Sequence, residues 1–520
     1  MTAAMPPAAV SRRRTVGWVL VLITAGALQA ASLAWPWSGQ PVWWLQVLAL
    51  AVLCSAVQQS ASPRSAAWRA AVFATAWLTA TFWWLFISMH TYGGLPAPLA
   101  VVAVLALATF LGSYYALVMW CWRRWSQAGW QAVILFAACW TLAELARGTL
   151  WTGFPWGAVG YAHVDGPLSS VPRWLGVYGT GALAAAAAMA LVQLPVLLQR
   201  KKTLVASGVG TAAVLVAAYA IQQEALVPTE RPSVSVALLQ GNIAQDEKFV
   251  QGGGLAQSLQ WYGAQLLQAP AALVVAPETA IPMLPQQLPL GYLEAVMAPY
   301  TGANSQSAAL VGMPLGNASE GYSNAVVGWI PTEMTEYRYD KHHLVPFGEF
   351  IPPLFAWFVR MMNIPLGDFV RGSVGQSPLA WRGEWWAPNI CYEDLFGEEL
   401  GARFAQGAQT PTVFVNVSNI AWFGNSIAID QHLQISRMRT REFERPMLRA
   451  TNTGATAVID HRGVVTASLP AATQGVLRAS VQGHDGVTPF AHWVSRWGLW
   501  PLWLCCLVIG AGCAYQRKKI

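Results

Sequence analysis

Seven apolar stretches of roughly 17 to 24 residues follow one another through the first 222 positions, and an eighth stands near the C-terminus. They cover about 15–34, 41–58, 70–89, 97–120, 130–147, 177–198, 203–222 and 494–514. Each is long enough to cross the hydrocarbon of a bilayer as a helix. A chain with this pattern cannot be one soluble globule. Of its 520 residues, 55% are hydrophobic and only 11% charged, where soluble domains carry about 25% charged residues.

The net charge of +7 does not form a nucleic-acid patch, because the basic residues sit in short runs at the ends of the spans. Arg12–Arg14 precede the first span, Arg64 and Arg69 lie between the second and third, and Arg123 and Arg124 between the fourth and fifth. Arg200, Lys201 and Lys202 separate the sixth from the seventh, and Arg517, Lys518 and Lys519 follow the last. The intervening connections are nearly bare, with Arg173 alone in 148–176. Positive residues stay cytoplasmic, so both termini are expected inside and 223–493 outside. The first span also resembles a secretory leader, with Arg12–Arg14 before it and Ala27-Leu28-Gln29-Ala30 as a small-residue site. Cleavage there would leave the orientation of the rest unchanged. The Ala184–Ala188 run suits close helix packing in lipid. The 148–176 connection, with Gly153-Phe154-Pro155-Trp156 in it, reads either as an interfacial aromatic belt or as a loop shaping lipid entry.

Near Pro228 the pattern changes to short β-branched runs alternating with helical periodicity, which predicts a layered α/β fold. Strands are expected at 234–239, 272–276, 308–312, 325–329, 384–390, 412–416, 455–459 and 476–479. Helices are expected at 255–268, 290–298, 395–405 and 426–445, the last stopped by Pro446. Three parts follow: a seven-helix membrane domain over 1–227, an outer catalytic domain over 228–488, and a closing membrane helix over 489–520.

Cys391 is the only cysteine between Gln199 and Trp503. It stands where an apolar strand meets the polar Tyr392-Glu393-Asp394. A disulfide needs a second thiol within reach, and a zinc site needs clustered ligands. What remains is an inert buried thiol or a nucleophile. Glu278, Lys341 and Glu349 also interrupt the apolar pattern near strand ends, where catalytic groups gather. A thiol of pKa about 8.5 is mostly protonated at neutral pH. A carboxylate can take its proton, and an ammonium can stabilise the oxyanion formed when sulfur attacks an acyl carbonyl. Glu, Lys and Cys thus suffice for acyl transfer, although spacing alone does not join them.

Three blocks do join them by resemblance: Pro277-Glu278-Thr279, the run Tyr339-Asp340-Lys341-His342-His343-Leu344-Val345-Pro346-Phe347-Gly348-Glu349, and Cys391-Tyr392-Glu393. In this order they resemble the nitrilase superfamily. The added spans and Ser418-Asn419-Ile420-Ala421-Trp422-Phe423-Gly424 narrow this to its apolipoprotein N-acyltransferase family. The resemblance implies an eight-helix membrane domain joined to an α-β-β-α sandwich. It implies Glu278 as base, Lys341 as oxyanion stabiliser and Cys391 as nucleophile. Glu349, Tyr392 and Glu393 would support them. The chain departs from the family at Ile420, where an Asp is common, and at Phe249, where a Trp is common, which puts carried-over substrate contacts in doubt. Asn419, Trp422 and Phe423 are candidate contacts.

The resemblance further implies a bacterial inner-membrane enzyme with a periplasmic site. It would pass an acyl chain from a phospholipid, phosphatidylethanolamine by expectation, to the amine of a diacylglyceryl-cysteine apolipoprotein. A monomer with no cofactor and no metal is expected, since His342, His343 and His432 show no ligand spacing. The apolar run Phe350–Met362, with Trp357 and Phe358, reads as core packing or as a flap dipping toward the bilayer. Arg437, Arg441 and Arg445 share a helix face and read as a solvated, self-paired stripe. The rival functions are a membrane-tethered amidase using the same triad, and a transporter or scaffold, for which Glu144 is the only acidic candidate within a span.

Overall fold

The computed structural model describes residues 7–199, 231–245, 253–268, 271–302, 304–331, 336–353, 355, 357, 361, 369–405 and 409–519. The expected span at 203–222, the domain boundary at 228, Phe249 and Phe358 lie outside the described residues. The chain forms two compact units. One comprises the described residues within Met1–Trp83, Val101–Glu224 and Leu499–Ile520; the other comprises those within Trp84–Ala100 and Ala225–Gly498.

The first unit is helical: Pro7–Ala31, Trp43–Gln58, Pro63–Thr81, Ala97–Trp125, Trp130–Thr149, Pro172–Gln199 and Trp500–Lys518. Among the described residues, three helical stretches are long and apolar enough to cross a membrane: Ala97–Trp125, Trp130–Thr152 and Pro172–Val196. A fourth results if Pro489–Trp497 and Trp500–Lys518 are taken as one broken span. Gly17–Ala31 and Trp43–Gln58 are shorter apolar helices. Two expected spans end differently from the sequence reading. The one expected at 70–89 stops at Thr81, and a separate π-helical turn, Ile87–Tyr92, follows. The one expected at 494–514 is interrupted at Gly498, whose φ of 52° breaks the helical path.

The middle of the 148–176 connection is folded in on its own unit. Trp156 to Val164 are buried, while Leu150, Trp151, Trp174 and Leu175 towards its two ends are exposed, Trp151 most of all at 82%. The Arg147 guanidinium donates to the carbonyls of Phe154 and Trp156 at 2.7 Å each. The Val159 amide donates to Glu144 at 3.1 Å. The buried Glu144 and Arg147 therefore satisfy backbone groups that lipid could not, which removes the motive for a transport path through Glu144.

The second unit is a four-layer sandwich, as the resemblance implied. One sheet has the order β12-β1-β2-β3-β4-β5 and the other β11-β10-β9-β8-β7-β6. The strands are β1 Val234–Gln240, β2 Leu273–Ala276, β3 Ala308–Asn317, β4 Gly321–Trp329, β5 Tyr337–Asp340 and β6 Leu379–Trp381. They continue with β7 Glu384–Ile390, β8 Val413–Ser418, β9 Met447–Thr451, β10 Ala457–Ile459, β11 Val465–Ser468 and β12 Gly475–Val481. Strands β1, β2 and β3 are parallel, and so are β7, β8 and β9.

Both faces of the central strands are covered, which is why they read as continuous apolar runs. Val236, Leu238, Val275, Leu310 and Val326 pack between the sheets against Trp386, Ile390, Val415, Val417 and Leu448. The alternate residues Ala237, Leu239, Val274, Val311 and Trp329 face Tyr262, Leu266, Val296 and Tyr300 of the helices Gly254–Gln268 and Tyr292–Thr301. On the other flank, Phe443 at the end of the Ala428–Phe443 helix packs edge-on against Phe414 at 5.5 Å between centroids.

Two sequence expectations fail here. The helix expected over 395–405 is three short pieces, Cys391–Leu395, Gly397–Gly401 and Ala402–Ala405. Two glycines in one turn weaken helix formation, and a Cβ at Gly397 would meet Arg439. The arginine stripe is not solvated. Arg437 and Arg445 are buried, and Arg445 lies beyond the helix end, after Glu444 in the left-handed region. Arg437 donates to the Gly463 carbonyl at 2.6 Å, and Arg445 to the carbonyls of Phe443, Glu444 and Asp485. These cations tie loops to the outer layer.

Candidate active site

Glu278, Lys341 and Cys391 each sit just past the C-terminal end of a strand, where open α/β sheets place their ligands. Glu278 follows β2 in a tight turn with Thr279 at φ 49°. The turn presses onto β3 at Gly312, where any Cβ would come within 2.4 Å of the Pro277 carbonyl. Only glycine permits that approach. Lys341 follows β5, its amide donating to the Asn324 carbonyl of β4 at 2.8 Å. Cys391 follows β7 with φ 53°, a left-handed conformation that costs a non-glycine residue roughly 1 kcal/mol or more. Strain of this kind persists only where the surroundings hold it.

Glu393 supplies much of that hold. One of its oxygens accepts from the Ile390 amide at 2.6 Å and the Tyr339 hydroxyl at 2.8 Å. The other accepts from the amides of His342 and His343 at 2.6 and 3.2 Å. A single carboxylate thus ties the cysteine turn to the segment carrying Lys341. Tyr392 is buried with its ring against Phe396 and His343. Burial pushes His343 down to about 3, so its 2.8 Å bond to Glu399 joins a neutral imidazole to the carboxyl.

Lys341 is 1% exposed. Its Nζ lies 2.9 Å from Glu349 and 3.5 Å from Glu278. Burial disfavours the ammonium, but Glu349 and Glu278 outweigh it and hold the pKa above the ordinary lysine value. Sequence reasoning missed Asn324, whose amide bridges the two carboxylates, donating to Glu278 at 2.7 Å and Glu349 at 2.8 Å. Its only signal was a lone amide at the head of the apolar run Ala325–Trp329.

Asn419 is in the site but its side chain is committed. Its amide nitrogen donates to Gln245 at 2.8 Å and its oxygen accepts from Asn452 at 3.1 Å. Its backbone N–H donates to Glu278 at 2.9 Å. Asn419 therefore orients the carboxylate. Ile420, the departure from the family pattern, is buried.

Cys391 remains partly accessible to solvent. The protein around it still pushes the thiol up to about 12, first by burial and next by the Glu278 charge, with Lys341 and the Ser418 hydroxyl pulling the other way. The resting group is therefore a thiol, and a base must take its proton as it attacks.

Two aromatic loops border this region within the same unit. Trp422 meets Tyr92 edge-to-face at 5.9 Å between centroids, and Phe423 packs tilted against Trp84 at 4.2 Å. Phe86 and Met89 pack with Phe347 and Ile351. In the apolar run after Glu349, Phe355 and Met361 are exposed and Trp357 is 56% exposed. If that ring contacts lipid, Trp357→Ala costs on the order of 1 kcal/mol of contact, about fivefold in turnover on bilayer phospholipid. The melting temperature stays put. A drop in melting temperature with unchanged turnover would assign the ring to packing.

Comparison with known proteins shows the family. Residues 25–190 match the apolipoprotein N-acyltransferase N-terminal domain, and residues 235–486 match the carbon-nitrogen hydrolase family. An apolipoprotein N-acyltransferase from Verminephrobacter eiseniae is 58% identical over 506 residues, covering 93% of each chain. The chain belongs to the apolipoprotein N-acyltransferase family. Further members are 47% identical in Ralstonia nicotianae, over 86% of each chain, and 34% identical in Neisseria meningitidis, over 93% of each. Membership makes it an acyltransferase of the nitrilase superfamily. The apolar helices of the first unit agree with a membrane location.

Proposed function

We propose that Cys391, Glu278 and Lys341 carry an acyl chain from a phospholipid to the N-terminal amine of a diacylglyceryl-cysteine apolipoprotein. The observation that supports this most is the placing of a partly accessible thiol, a carboxylate and a buried ammonium at the C-terminal ends of β7, β2 and β5, with Lys341 3.5 Å from Glu278. In the first step the Cys391 sulfur attacks the ester carbonyl carbon and its proton passes to Glu278. Lys341 faces the oxyanion. The carbon–oxygen bond breaks, the lysophospholipid oxygen takes the proton back, and a thioester remains. In the second step the lipoprotein amine attacks the thioester, Glu278 accepts its proton, and the sulfur leaves to be reprotonated. Glu349 holds Lys341, and Glu393 holds the cysteine turn.

Phosphatidylethanolamine is the donor we assign. The alternating basic runs support cytoplasmic termini and a periplasmic catalytic domain. They support equally the division into membrane part, catalytic part and closing helix. All groups named come from one chain, which suits a monomer. A hydrolytic amidase with the same triad is not favoured, because it leaves the family match over 25–190 without purpose.

The test is discharge of the acyl-enzyme. Protein incubated with phosphatidylethanolamine vesicles should gain one fatty-acyl mass. That mass should persist in buffer and disappear when a diacylglyceryl-cysteine peptide is added, with the peptide gaining it. Rapid loss to water with no peptide acylation would favour the amidase.

A further inference from the structure

Strands β7, β8 and β9 carry a row of polar residues that this reaction leaves unused. Asn389 is the register partner of Asn416, and Asn416 of Arg449. All three are 0% exposed. Their neighbours Ile390, Val415, Val417, Leu448 and Ala450 fill the core between the sheets. Because side chains alternate along a strand, the row faces the opposite flank. The Ala428–Phe443 helix adds His432 and Ser436 one turn apart on that side. The turn after Cys391 adds Asp394.

These groups close around the guanidinium of Arg449. One terminal nitrogen donates to Ser436 Oγ at 2.6 Å and lies 3.4 Å from Asn416 Oδ1 and 3.5 Å from Asp394 Oδ2. The other is 2.8 Å from His432 Nδ1. His432 Nε2 is 2.7 Å from Asp394 Oδ1, and Ser436 Oγ donates to Asp394 Oδ2 at 2.5 Å. Since Nδ1 faces a donor, Nε2 carries the imidazole proton. Burial and the neighbouring Arg449 keep His432 neutral by pushing its pKa down.

One route reaches the cysteine. Arg449 takes Asn416 Oδ1, so Asn416 Nδ2 points to Asn389 Oδ1 at 2.7 Å and to the Cys391 carbonyl at 3.2 Å. A flipped amide would set N–H groups against the guanidinium. The carbonyl of a residue in left-handed conformation is thereby fixed.

We propose that Arg449 is a positioning residue for the nucleophile: through Asn416 and Asp394 it holds the Cys391 turn. This role presumes Cys391 as the nucleophile. The charged and titratable groups facing Cys391 are then Glu278 after β2, Lys341 after β5 and Glu349 beyond it. Glu393 and Asp394 belong to its own turn, His432 to the helix and Arg449 to β9.

The test is alkylation of Cys391 by iodoacetamide in the full-length protein in detergent, read on the Cys391 peptide by mass spectrometry from neutral to mildly alkaline pH. Without the guanidinium the Asn416 amide is no longer oriented and the turn loses its tether, so Arg449→Met should alkylate at a rate more than about threefold away from wild type at each pH. Arg449→Lys keeps one donor in place of the fork and should stay within about threefold in alkylation. Both variants, and Asn416→Ala, should lower kcat while leaving the KM for phospholipid unchanged. Equal change in alkylation in the Met and Lys variants, or wild-type alkylation and kcat in Arg449→Met, overturns the role. Should Arg449→Met fail to fold, Arg449→Lys and Asn416→Ala decide: wild-type turnover in both overturns it. A wild-type protein that never acquires an acyl mass would sink the thioester reading instead, and the alkylation comparison would still stand.

Discussion

Cys391→Ala protein should show no fatty-acyl adduct after exposure to phospholipid, and its transfer to a lipoprotein acceptor should fall by roughly 10^5-fold. The loss is of this size because, in the proposed mechanism, the sulfur makes and breaks the covalent bond, and Glu278 and Lys341 can only orient what remains. Folding should be nearly unaffected, within about 1 kcal/mol. Alanine keeps a Cβ and so inherits the φ of 53°, while Glu393 and Asn416 still grip the turn through backbone atoms. The adduct on the wild-type protein should be released by neutral hydroxylamine, which cleaves thioesters and spares oxygen esters. The six other free cysteines serve as internal controls, since they flank or lie within apolar helices away from any carboxylate–lysine pair. An adduct that survives in Cys391→Ala would remove this thiol from the reaction.

What made this site legible was contrast. Glu384–Ile390 emerged with its observed bounds because an apolar run stops abruptly at a thiol followed by acids. Glu278 and Lys341 stood out in the same way at the ends of β2 and β5. The bonds that assemble them were not legible, because they join residues far apart in the chain. Asn324 and Asn419 both bond Glu278, across separations of 46 and 141 residues.

Charge misled where it is buried. Arginine is usually exposed, so Arg437 read as a solvated face and Arg449 hid β9, which no apolar run announces. The sandwich explains both. Its outer helices lie over the polar ends of the second sheet, and a cation there finds carbonyls and hydroxyls instead of water. The membrane unit misled in a different way. Hydropathy marks length and not continuity, so the break at Thr81 and the turn at Gly498 were smoothed over.

Replacing Lys341 by methionine should damage both chemistry and fold. In the proposed mechanism the ammonium faces the developing oxyanion, and removing one such donor costs about 10^2- to 10^3-fold; acyl-enzyme formation should slow by that factor. It also leaves Glu278 and Glu349 sharing a buried site through Asn324 with no cation between them. Breaking one side of a buried ionic cluster typically costs about 3–5 kcal/mol, so the second unit should melt well below wild type. The pH dependence gives a separate check. The folded pKa of Lys341 is held above its ordinary value, so its contribution to stability is complete below about 10.4. That contribution is lost only as pH climbs from there toward the raised value. Wild-type stability should therefore lose this increment in alkali, and Lys341→Met should show no such loss. Glu349→Gln separates the two roles. It keeps a hydrogen-bond acceptor at 2.9 Å from Nζ and leaves Glu278 as the partner charge. It should slow acylation by misplacing the ammonium while destabilising less than Lys341→Met. If Lys341→Met forms acyl-enzyme at the wild-type rate, the ammonium is a structural counter-ion and the oxyanion is stabilised by another group.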